Sequence, residues 1–201
     1  MKRDSANVRE QILKAGLKLF AERGYAGASV NDIIEATKVT KPVLYYHFES
    51  KAGLYKALLD EAFDDGYRRM QEAAQRATEI NAQLVEVFDS QFEFLRRRRD
   101  LVRLAIGATF AAPGELPRGI NSIEKGARNF EFVHTIVRQA QERGELSSAF
   151  SSLELAHGIY GALCFHLMAG AVEPQFQLSR QTARRILTLF LEGAKPTKTR
   201  A

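Results

Sequence analysis

The chain holds one cysteine, no tryptophan and five prolines in 201 residues. A lone Cys164 closes no internal disulfide, so a fold without covalent cross-links in a reducing, cytoplasmic setting is expected. No apolar run approaches the roughly 18 residues of a bilayer span, which argues against a membrane partner. The opening MKRDSANVREQ has a basic start but no apolar stretch behind it, so no secretory leader is expected. Runs of alternating apolar and polar residues, the mark of a half-buried strand, are missing. So are a nucleophile paired with a base, a glycine-rich phosphate loop and compact metal-ligand spacing. His134, His157, His166 and Cys164 fit no ligand pattern, and positions 164 and 166 fall on different helix faces. Enzyme, cofactor and metal readings therefore start without support.

What is present is ordinary in amount and informative in arrangement. A 45% hydrophobic and 26% charged composition suits a globular chain. The net charge of +5 favours a polyanionic partner. Residues 1–51 carry nine Lys/Arg against six Asp/Glu, a net of +3, and the other 150 carry twenty against eighteen, a net of +2. The excess is denser at the N-terminus.

Apolar residues recur at helical spacing nearly throughout, which predicts an all-α fold of about nine helices. The first runs from about Asn7, a cap partnered by Glu10, to Arg23, with Gly24 as its stop. The second opens at Ser29, with Asp32 completing the cap, and ends near Thr37. The third opens at Thr40 with Pro42 in its first turn. Longer helices follow near 50–76, 81–99, 100–112, 121–143, 152–170 and 179–193, with a break at Pro113–Gly119. The division expected is a small N-terminal unit over 1–52, a larger helical bundle over 53–195 and a disordered basic tail over 196–201.

Two or three residues around Lys38–Val39 join the second and third helices. Val30, Ile33, Ala36, Val39 and Leu44 are expected to face inward, as in a helix-turn-helix. Thr40, Lys41, Val43, Tyr45, Tyr46 and His47 then face outward, and these are residue types that meet phosphates, base edges and thymine methyls. Lys51 sets a positive charge at a helix N-terminus, a combination that favours phosphate.

The stretch from Ile12 to Leu59 resembles the tetracycline-repressor (TetR) family of bacterial regulators. The resemblance rests on Leu19, Phe20, Gly24 and Tyr25, on Ser29, on LYYHF from Leu44 to Phe48, and on Ser50–Lys51. It implies that Thr40, Lys41, Pro42, Val43, Tyr45, Tyr46 and His47 face double-stranded operator DNA, with Ser29 and Lys51 on phosphates and Leu44 and Phe48 in the core. Where the family usually has glycine, this chain has Lys38. If that position is left-handed, lysine costs about 1 kcal/mol more than glycine.

The resemblance further implies a homodimer reading a near-palindromic operator. Leu155, Gly158, Ile159 and Ala162, with Ala183, Ile186, Leu187 and Phe190, are the candidate interface. It also implies a small-molecule effector, expected to be mostly apolar, which releases a repressor from DNA. Phe88, Phe92, Phe110, Phe130, His134, Val137, His157, Cys164 and Met168 are the candidate lining. The arginine run Arg96–Arg99 reads more simply as a solvated complement to a helix dipole than as a second nucleic-acid site. Alternatives are a protein–protein adaptor on the same helices and a regulator that needs no ligand.

Overall fold

The computed structural model describes residues 2–112, 114–120, 122–173 and 175–192, with side chains from Ala6 onward. Among them are nine helices and no strand. They are α1 (Lys2–Gly27), α2 (Val30–Thr37), α3 (Lys41–Phe48), α4 (Lys51–Ala74), α5 (Ile80–Arg97), α6 (Arg99–Thr109), α7 (Ser122–Glu142), α8 (Ser152–Val172) and α9 (Arg180–Glu192). The tail expected over 196–201 lies outside the described residues.

Compactness divides the chain into two units. The first holds α1–α3, α4 as far as Asp65, and the described residues of Arg98–Gly126; the second holds Gly66–Arg97 and the described residues from Ala127 onward. In the first, α1 packs on α2, α3 and α6. Its core is Ile12, Phe20, Ile33, Leu44, Leu54 and Leu58, each 2% exposed or less. Burying one such side chain stabilises by roughly 1.5–3 kcal/mol, which is why two-turn helices that would melt alone persist here. In the second, α5 packs on α8 and α9, around Leu84, Phe88, Phe92 and Ile159.

Three local expectations change. The first helix begins well before Asn7, so Asn7 is an interior position and not a cap. Gly24 does break it, at φ 70, ψ 177, a conformation that suits a residue without Cβ. The Thr40 hydroxyl makes no cap bond; its carbonyl instead accepts from Val43 and Leu44 at 3.1 and 3.2 Å. Ala36 is exposed, while Ile33 of α2 and Leu44 of α3 are fully buried.

α8 is long and apolar enough, by length and composition alone, to resemble a membrane span, a property that core helices share. Its inner face has a protein reason, since Ala156, Ile159 and Leu163 are buried within the unit. The arginine run is also better partnered than expected: Arg96 donates to the Leu178 carbonyl at 2.6 Å, while Arg97 and Arg98 pair with Glu93 and Glu61, each at 2.5 Å.

Candidate nucleic-acid interface

The surface is best built from its supports. α2 opens on a reciprocal cap in which the Ser29 N–H donates to Asp32 Oδ2 at 2.8 Å and the Asp32 N–H to Ser29 Oγ at 3.1 Å. The Ser29 hydroxyl donates to the same carboxylate at 2.6 Å. That hydroxyl bond, with the backbone bond and Arg23 nearby, holds the Asp32 carboxyl below the usual carboxylate range. α2 closes at Lys38, which sits left-handed at φ 58, ψ 18 and donates its N–H to Ile34 at 2.8 Å. The turn thus keeps the geometry that favours glycine, at a strain of roughly 1–2 kcal/mol.

α3 has two unlike sides. Leu44 and Phe48, one turn apart, are buried and fix the helix to the core. Thr40, Lys41, Pro42, Tyr45 and Tyr46 are exposed, with Val43 and His47 half-buried along the flanks. Lys41 lies 5.8 Å over the Tyr45 ring, and the Tyr46 and His47 rings meet edge-on at 5.2 Å. Tyr46 is 82% exposed. Folding explains Leu44 and Phe48 but gives no reason for a large bare aromatic beside them; such a residue marks a contact surface.

Ser29 and Lys51 are placed otherwise than expected. The Ser29 hydroxyl is engaged in the cap. Lys51 turns inward: its Nζ donates to the carbonyls of Tyr25 and Ala28, both at 2.9 Å, and lies 4.2 Å over the Tyr25 ring. Two of its three N–H donors therefore tie the end of α1 and the residue after it to the start of α4. Tyr25 in turn packs with Phe20 and Tyr55, at 6.1 and 5.0 Å between ring centroids. Tyr25 and Lys51 are parts of one internal clamp, which leaves one Lys51 donor for a phosphate where the expectation had three.

The joint between α3 and α4 escaped the sequence reading. Glu49 has φ 61, ψ −36, and the Ser50 N–H donates to the Phe48 carbonyl at 2.6 Å, a strained γ-turn. A Cβ at Gly53 would collide with that same carbonyl. Gly53 was the available signal: a glycine three residues after Ser50, whose hydroxyl accepts its N–H at 3.0 Å.

Residues 12–58 match the family of bacterial regulatory proteins described as tetR. Over this span the chain is similar to the tetR-family regulators. The HTH-type transcriptional activator FasR of Mycolicibacterium smegmatis is 33% identical over 96 residues, 48% of this chain and 44% of that protein. The chain spans less than half the length of the curated relatives it matches. Solved structures cover more. A putative fatty acid metabolism regulator from Clostridium perfringens superposes with TM-score 0.78 and 20% identity over 93% of this chain and 100% of that one. FadR from Bacillus subtilis, solved with stearoyl-CoA, gives 0.77 and 21% over 92% and 99%. At such identity these structures establish a shared fold.

The second unit does not gather the expected lining into one place. Phe88, Phe92 and Val137 are sealed in the core, the two phenylalanines meeting edge-on at 6.0 Å. Phe110 belongs to the first unit and is 77% exposed. Phe130 stacks between His157 and His134, at 4.7 and 6.0 Å, and these three do form a cluster. Cys164 and Met168 are exposed on α8.

The expected dimer surface is also redistributed. Ile159, Ala183 and Leu187 are fully buried within the chain, so they cannot meet a partner. Leu155, Gly158, Ala162 and Ile186 are half-buried, and Phe190 remains partly exposed. Gly158 has its own internal reason, because a Cβ there would strike the Phe190 ring. The large apolar side chains exposed on α8 are Leu153, Phe165, Met168 and Val172, and those on α9 are Leu189 and Phe190. Among the described residues no group of three or more His, Cys, Asp or Glu is placed to hold a metal.

Proposed function

We propose that the chain is a sequence-specific DNA-binding transcriptional regulator whose α3 enters the major groove. The observation that carries this is the two-sided α3, held by Leu44 and Phe48 while Lys41, Tyr45 and Tyr46 stand bare. The polar and aromatic side chains of that face suit phosphates and base edges. A binding role and not a catalytic one follows, in the cytoplasm where the chromosome lies.

The chain acts as a homodimer. Phe165 and Val172 of α8 and Leu189 of α9 are 60%, 72% and 59% exposed, an apolar surface that a two-fold copy of itself would cover. Two copies of α3 about 34–36 Å apart would then reach successive major grooves of a near-palindromic site. The protein represses, and a mostly apolar effector in the second unit releases it. The fold shared with FadR, whose structure holds stearoyl-CoA, supports a long-chain acyl compound as the effector class. The ligand acts only through its different affinity for the bound and released states.

Tyr46→Ala tests the reader. Fluorescence anisotropy with DNA from upstream of the protein's own reading frame should show specific binding reduced by at least about tenfold, the scale of losing a central aromatic contact. The helical circular dichroism should be unchanged. Equal affinity in that variant rejects α3 as the reader. Phe165→Glu should halve the mass measured by light scattering, and an unchanged mass rejects the α8–α9 interface.

A further inference from the structure

α1 buries one face through Ile12, Gly16 and Phe20, each four residues from the next. One turn earlier the same face carries Arg9. An apolar side chain there would finish the stripe, yet the position holds an exposed cation. Its guanidinium carbon lies 5.2 Å over the ring of Phe48, the last residue of α3. Among the described residues no carboxylate is paired with it. Arg23, on the same helix, is by contrast paired with Asp32 at 3.5 Å. The rings of Phe48, His47 and Tyr46 follow one another at 6.2 and 5.2 Å between centroids. Arg9 thus stands at the end of the aromatic row that leads to the bare Tyr46.

Resting on α3 as the reader, we propose that Arg9 is a backbone contact of the DNA, taking a phosphate beside the C-terminal end of that helix. A guanidinium stacked on an aromatic face is held flat, which leaves its planar fork of N–H donors available to the oxygens of a phosphate. The contact lies outside the helix-turn-helix itself, so it fixes the register of α3 on the duplex and reads no base. The competing account is an arginine whose stem merely covers Phe48, and it predicts no effect on DNA.

The experiment is fluorescence anisotropy of the whole chain, Arg9→Met and Arg9→Lys, from about 50 to 200 mM salt. Two duplexes of equal length are compared, one from upstream of the protein's own reading frame and one unrelated. Arg9→Met keeps a flexible apolar cover on Phe48 and should bind both duplexes about 3- to 10-fold more weakly. The slope of log affinity against log salt should become shallower by roughly 0.9 for each chain engaged, and Arg9→Lys should restore it. If Arg9→Met does not fold, Arg9→Gln takes its place. Wild-type affinity and slope in the uncharged variant overturn the assignment. So does a loss confined to the upstream duplex, or a slope that Arg9→Lys fails to restore. Tyr46→Ala judges the reader separately: undiminished affinity there rejects α3 whatever Arg9 does. A wild type that binds neither duplex overturns both.

Discussion

The two units use the same helical periodicity to different ends. In α2 and α3 nearly every position has its own chemistry: a capping hydroxyl, a left-handed lysine, two buried anchors and an exposed aromatic edge. In α8 apolar side chains surround the helix, and their identity does not say which face turns inward. A short element with few contacts must use each residue for one purpose, whereas a 21-residue helix can exchange one apolar side chain for another. The first region should therefore be brittle and the second tolerant.

That contrast can be broken by substitution. The largest effect belongs to Leu44→Ala, which removes a fully buried anchor and should cost about 2–5 kcal/mol by urea denaturation. A loss under about 1 kcal/mol would make α3 as tolerant as α8. Lys51→Met follows. If Lys51 is an internal clamp, the carbonyls of Tyr25 and Ala28 lose their donor and stability falls by about 1–3 kcal/mol. If Lys51 is a phosphate anchor, stability holds and only DNA affinity drops, so paired denaturation and anisotropy measurements separate the two. Ile159→Leu, a volume-conserving change on the buried face of α8, should cost less than about 1.5 kcal/mol; a larger loss would show that α8 too is specified atom by atom. The smallest change should be a gain. Lys38→Gly relieves the left-handed strain and should raise the melting temperature by roughly 2–4 °C, for about 1 kcal/mol in a chain of this size. An unchanged or lower melting point would mean that the flexibility of glycine offsets the relief.

The same contrast explains what could be read in advance. Ser29 with Asp32, Gly24 and the 44/48 pair obey local rules, and local rules survive in sequence. The left-handed turn was readable from the residue missing at Lys38. The internal partners of Lys51 are not legible in advance, because a cation at a helix N-terminus satisfies a phosphate rule, while the carbonyls it meets lie 23 and 26 residues upstream. Glu49 gave no warning, since positive φ is rare for glutamate. For the second unit, periodicity marked the apolar residues but could not say which face of α8 would meet α9 and which would face outward. Ile159 and Phe165 look alike in sequence, and only packing separates them, at 0% and 60% exposure.

The inward turn of Lys51 also has a consequence for counting ions. Each lysine or arginine that neutralises a DNA phosphate releases condensed counterions, and the logarithm of affinity falls with that of salt in proportion to the number of such contacts. The clamp withdraws one cation per chain from that number. The protein's salt dependence on DNA should accordingly be shallower than its count of basic residues near the reader suggests.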